Sequence, residues 1–275
     1  MNEHSSHRSL VVFTSLAIAG AGLMAASAYF ELMNGLTCPV AVAASAVLLA
    51  AGLAVSLSHL GQKRRAGLAV RGAGRSALSN EALVAGLALG AAAVAAGLGL
   101  RGTPSPIATA AAGVTSAAFL VSIGLVYRIR GQQTWRGLSA ATPLTGGLAF
   151  GAIAVQTTAG TGGVFLGTLL FIAADALIFS RRWRDVLGVP HSDDVLANPW
   201  QVRRTPLLAA RFFLLDVIPY FLLAVSPMPL AVVSAAAGLI ADRFGFYVLA
   251  VQHTTEHEVA TVEMQIAALD PSSQD

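Results

Sequence analysis

Charge is scarce in this sequence. Asp, Glu, Lys and Arg make up 11% of its 275 residues, against about 25% in an ordinary soluble domain. A chain so depleted does not turn most of its side chains to water, which excludes a soluble globular fold. Cysteine is nearly absent. The single thiol, Cys38, cannot make an intramolecular disulfide, a zinc cluster or an iron–sulfur site, each of which needs several ligands. No metal is therefore expected in this chain. Aromatic residues reach only 7%, so close packing has to come from small residues, as in membrane helix bundles. Histidine is sparse too. None of His4, His7, His59, His191, His253 and His257 falls mid-span, which leaves no facing pair to ligate a b-type haem.

What the sequence has in plenty is apolar length. Hydrophobic residues make up 55%, and the mean hydropathy is +0.69. A helix of about 20 apolar residues crosses the hydrocarbon core. Eight such runs occur, at 10–31, 38–60, 81–100, 106–127, 143–159, 163–180, 205–225 and 230–252. The expected fold class is an all-α integral membrane protein with eight transmembrane helices in four hairpins. It would form one polytopic domain over 1–275, with a polar tail at 253–275. The first run is too long for the core of a signal peptide and is expected as a retained span.

Charge placement orients the bundle. Lys and Arg cluster in the long connections: Arg8 in the amino-terminal tail, five in loop 61–80, three in loop 128–142 and five in loop 181–204. The opposite side carries only Arg101. Cytoplasmic loops accumulate Lys and Arg, so both termini and every long loop are expected in the cytoplasm. The pI near 9.5 is thereby a topology signal, and no nucleic-acid partner is expected. A lipid bilayer is.

Ionisable residues inside or at the edge of apolar runs are the candidates for chemistry. His59 closes the second run and Glu81 opens the third, with five basic residues between them. Histidine titrates near neutrality and can donate to a carbonyl, and a carboxylate can accept a proton. Such a pair would suit a bound quinol. The plainer reading is that both residues end helices, with Ser79 or Asn80 as cap and Glu81 favoured by the helix dipole. Asp175 and Arg211 lie at similar depths and are expected to pair, with Asp216, Asp242 and Arg243 forming a second, deeper cluster. The favoured reading of these charges is ion pairs that set helix register; the alternative is a proton path. His253, Glu256 and His257 match H-x-x-E-H, but too little chain follows for the third ligand of a metallopeptidase. Gly86-x-x-x-Gly90 is expected to pack against another helix.

Three stretches carry a family resemblance. The segment "HLGQKRRA" (His59–Ala66) followed by "SALSNE" (Ser76–Glu81), "TWRGLSAATPLTGG" (Thr134–Gly147) and "DRFGFY" (Asp242–Tyr247) resemble motifs of the membrane anchor subunits of dimethyl sulfoxide reductase and its relatives. The resemblance implies a cofactor-free anchor in a bacterial cytoplasmic (inner) membrane. It would bind menaquinol and pass electrons to an iron–sulfur subunit that feeds a molybdopterin catalytic subunit. It implies quinone binding by His59, Arg65, Glu81 and Trp135, with Glu81 as proton acceptor and His59 as hydrogen-bond partner. The alternatives are a quinone-reducing anchor of an inward-facing sulfur-compound dehydrogenase and, from another class, a small secondary transporter. Short unbroken spans speak against the transporter.

Overall fold

The computed structural model describes residues 3–59, 72–127, 137–159, 164–188, 203–225 and 229–249. Their regular structure is helical, joined by short turns, with no strand among them. The helices are α1 (Glu3–Asn34), α2 (Pro39–His59), α3 (Ala77–Leu100), α4 (Pro106–Val126), α5 (Thr142–Ala159), α6 (Phe165–Gly188), α7 (Arg204–Val225) and α8 (Pro229–Val248). A short 3-10 turn, Gly137–Ala140, precedes α5.

Six of the eight, α1 to α4, α7 and α8, are long and apolar enough to cross a membrane. The chain is thus a multi-pass, all-helical membrane protein. The other two fall short for physical reasons. Helix α5 is diluted by four Thr, three Gly and Gln156, and α6 carries Asp175, Arg181 and Arg182. Their status as spans belongs with the function proposed below.

The hub is α1. A helix that is apolar on all sides belongs in the interior, and α1 packs against α2, α4, α5 and α8. Small residues let it get close. A Cβ on Gly22 would collide with the Gly147 backbone, and one on Gly151 with the Gly22 carbonyl, so α1 and α5 cross backbone to backbone. Gly20 approaches α2 at Ser45 and Leu49, and Gly113 of α4 meets Ala28.

The glycines expected to pack, Gly86 and Gly90, do not. A Cβ on either would meet nothing within 4 Å. Helix α3 buries the opposite face, Ala85, Ala88, Ala92 and Ala96, and turns these glycines outward.

Two further boundaries differ from those expected. Helix α3 starts at Ala77 with Ser76 at its N-cap position, not at Ser79 or Asn80. The Asn80 side chain instead accepts from the Gly74 N–H at 2.6 Å, closing the turn before the helix. Helix α6 runs on to Gly188, so Arg181, Arg182 and Arg184, expected in a loop, are helical. Arg182 is buried.

Helix α7 is not regular. Residues Phe213–Val217 form a π-segment, closed by the Ile218 N–H bonding to the Phe213 carbonyl. Pro219 explains it: proline has no N–H to give the Leu215 carbonyl, and its ring crowds that carbonyl. The Ser234 hydroxyl of α8 donates to the Leu214 carbonyl at 2.8 Å. Neighbouring hydroxyls satisfy disturbed helix backbone in this way inside membranes.

Candidate functional site

Helices α5 to α8 enclose six charged side chains. Asp175 and Arg182 come from α6, Arg211 and Asp216 from α7, Asp242 and Arg243 from α8, and each is at most 4% exposed. Charges this deep persist only when paired. Arg211 donates through Nη2 to Asp175 Oδ2 at 2.6 Å and through Nη1 to Asp216 Oδ2 at 2.7 Å. Its Nε faces Asp242 Oδ1 at 3.5 Å. Asp242 accepts from Arg182 Nη1 at 2.8 Å and from Arg243 Nε at 2.9 Å, with a second contact to Arg243 Nη2.

Helix α5 supplies hydroxyls. Thr145 Oγ1 donates to Asp175 Oδ1 at 2.6 Å, and Thr142 Oγ1 accepts from Arg243 Nη2 at 3.2 Å and Arg182 Nη1 at 3.4 Å. The guanidinium of Arg211 lies 3.9 Å from the Phe179 ring centroid, and that of Arg243 lies 4.9 Å from Phe246, so aromatic faces share in holding the cations.

Asp175 and Arg211 are brought together. The remaining charges do not make a separate, deeper cluster: one network holds all of them, linked where Arg211 faces Asp242, and it includes Arg182. The π-segment is the reason for Asp216. Five residues apart in a regular α-helix, Arg211 and Asp216 would point about 140° apart. The wider turn of a π-segment returns them to one face. Arg182 was missed because it was read as loop. Its signal is present in the spacing of Asp175, Phe179, Arg182 and Val186, all buried, a one-faced helical pattern.

A second polar group lies at the end of the bundle where α3 begins and α4 and α8 finish. Glu81 is 7% exposed. Among the described residues no Lys, Arg or His pairs with it and no donor bonds to it. It sits in the second turn of α3, not at its first residue, so the dipole of the first turn does not explain it. Close by, the Tyr127 and Tyr247 hydroxyls share a 2.8 Å hydrogen bond, and Thr14 of α1 reaches Tyr247. Tyr247 ends the "DRFGFY" stretch, but nothing in the sequence tied it to Tyr127.

Of the other residues expected at this site, His59 is the last residue of α2. Its side chain, with Arg65 and Trp135, lies outside the described residues, as do His253, Glu256 and His257. No group of three or more metal-ligating side chains occurs among the described residues. No protein-family model matches the chain, and no curated protein is similar to it.

Proposed function

We propose that this chain is the membrane anchor and quinol-oxidising subunit of a molybdenum–iron–sulfur oxidoreductase of the dimethyl sulfoxide reductase type. The observation that carries the reading is Glu81, a buried carboxylate with no cation beside it among the described residues. It lies at the same end of the bundle as two phenols, the end reached by the His59 end of α2. An unpaired buried carboxylate is costly unless it has a task, and accepting a quinol proton is one. Quinol would lie between His59 and Glu81, with Arg65 and Trp135 from the adjoining connections. Electrons would leave to an iron–sulfur partner and then to a molybdopterin subunit. The lysines and arginines of the long connections support an eight-span topology in four hairpins, with termini and partner-facing loops in the cytoplasm of a bacterial cell.

Binding of a fluorescent quinol analogue to membranes holding the full chain tests this. Saturable quenching that Glu81→Gln and His59→Ala abolish, at unchanged protein level, is the expected result. Quenching that survives both substitutions refutes these roles.

A second reading is favoured by the irregular helix. Transporters place interrupted helices and ionisable residues around a buried site, and α7 bears Asp216 on its π-segment. The assumption of unbroken spans, which spoke against a transporter, does not hold for α7. Under this reading the chain alone moves a substrate into sealed vesicles. Uptake by the isolated subunit supports it, and binding of the quinol analogue without uptake supports the anchor.

A further inference from the structure

The charges of the network are not equally satisfied. Asp242 is held by Arg182 and Arg243 and faces Arg211. Asp175 accepts from Arg211 and Thr145. Asp216 is 3% exposed, and its Oδ1 is buried with no hydrogen-bond partner among the described residues. Its other oxygen, Oδ2, accepts from Arg211 Nη1 at 2.7 Å.

The same guanidinium holds Asp175 through its other terminal nitrogen at 2.6 Å. Two carboxyl groups are thus gathered on the two terminal nitrogens of one guanidinium. An ionised carboxylate only accepts hydrogen bonds, so two carboxyl groups can bond to each other only if one carries a proton. Carboxylates sharing a site repel unless one is neutral.

We propose that Asp175 and Asp216 form a carboxylic acid–carboxylate pair that binds one exchangeable proton inside the bundle. This part of the network is then a proton-binding site, whereas Asp242 with its arginines is a fixed structural hub. The inference does not rest on the quinol reading and holds whichever function proposed above is correct.

The surrounding groups are these. On its own helix Asp216 faces Arg211. Helix α6 presents Asp175, and α8 presents Asp242, itself held by Arg182 and Arg243. Helix α5 contributes the Thr145 hydroxyl and Gly146 and no titratable side chain. With three Arg and three Asp the network is neutral when every carboxyl is ionised, and loading one proton leaves a single positive charge. The Phe179 ring under Arg211 and Phe246 under Arg243 are placed to spread it.

The network borders a small cavity on its Asp242 side. A cavity of about 10 Å³ is lined by Arg182, Leu207, Leu208, Arg211, Asp242 and Gly245, at the lower limit for a single water. The Nε atoms of Arg182 and Arg211 make no hydrogen bond, as a water site requires. Leu207 and Leu208 precede Arg211 on α7 and Gly245 follows Asp242 on α8, so the cavity lies on the side of Arg211 and Asp242 that faces the end where α7 begins and α8 finishes. The π-segment then has a role: it carries the proton-accepting carboxylate to its partner.

Infrared titration of the purified full chain in lipid vesicles tests the proposal. The expected signal is the carbonyl stretch of an un-ionised carboxylic acid. It grows as the pH falls, shifts down in D2O, persists in Glu81→Gln and Glu31→Gln, and is lost in Asp216→Asn. Absence of the band in wild type at every pH overturns the proposal. So does a band that ignores both pH and D2O, or one that survives Asp216→Asn. Should Asp216→Asn fail to fold, Asp216→Glu keeps the carboxyl and must move the band; a band left unmoved equally overturns the assignment.

Discussion

Asp242 is where the bundle is most exposed to a change of one atom. Its carboxylate meets Arg182 at 2.8 Å, Arg243 Nε at 2.9 Å and Arg211 Nε at 3.5 Å. Asp242→Asn keeps almost the same shape, so packing is preserved and charge alone is removed. What remains is three guanidiniums in a buried site with one fewer anion, and an amide N–H₂ that repels them. Removing one partner of a buried ion pair costs about 3–5 kcal/mol. At about 1.4 kcal/mol per tenfold, that lowers the folded-to-unfolded ratio between roughly a hundredfold and a few thousandfold.

Asp216→Asn should cost less. Asp216 has one charge-assisted hydrogen bond to Arg211 and a bare Oδ1, and such a bond contributes about 1.5–3 kcal/mol. The assay is heat challenge of detergent-solubilised protein followed by size-exclusion chromatography, with SDS unfolding for the energies. Arg182→Met in the Asp242→Asn background should recover part of the loss, because it removes a cation left unpaired. Wild-type stability in Asp242→Asn, or greater damage from Asp216→Asn, refutes this account of the network.

Four other predictions bear on packing, the tyrosine pair, the π-segment and the thiol. Gly22→Val drives a side chain into the Gly147 backbone and should cost at least the roughly 1–3 kcal/mol of an overpacked core, whereas Gly86→Ala, open on its face, should change thermal stability by no more than about 0.5 kcal/mol. Tyr127→Phe and Tyr247→Phe each break the same 2.8 Å bond, at about 1 kcal/mol, and the double variant should be little worse than either single one in SDS unfolding. Pro219→Ala restores the missing N–H and lets α7 straighten, so it should uncouple Asp216 from Arg211 and match Asp216→Asn in stability. Cys38 lies in the turn between α1 and α2, where burial, and then the nearby Glu31 carboxylate, push its thiol above the usual range. Alkylation needs the thiolate, so Glu31→Gln should shift its pH profile toward lower pH and speed labelling at a given pH; an unmoved profile refutes the electrostatic part.

Much of this molecule was legible without coordinates because hydropathy acts on whole segments. A run of apolar side chains about 20 residues long has one economical solution in lipid, a helix that satisfies its own backbone. Charge scarcity, helix count and the helical class all follow from that. So does the importance of Asp175, Arg211, Asp216, Asp242 and Arg243, since any ion in an apolar run must find a partner.

Which partner each one found was decided in three dimensions. Arg182 looked like loop until α6 continued past Phe179 and carried it onto Asp242. Asp216 joined Arg211 only because Pro219 forces a π-segment, a local change of register that spacing arithmetic on a regular helix cannot contain. The Gly86-x-x-x-Gly90 pattern is the same whether it faces a helix or open space, and the tertiary structure turned it outward while crossing α1 and α5 at Gly22, Gly147 and Gly151. The meeting of Tyr127 with Tyr247, 120 residues apart, leaves no trace in either neighbourhood. Segment-wide solvation is additive along the chain and so can be read from it. Pairing depends on how helices rotate about their axes and slide past one another, and that is set by contacts between segments the sequence does not place side by side.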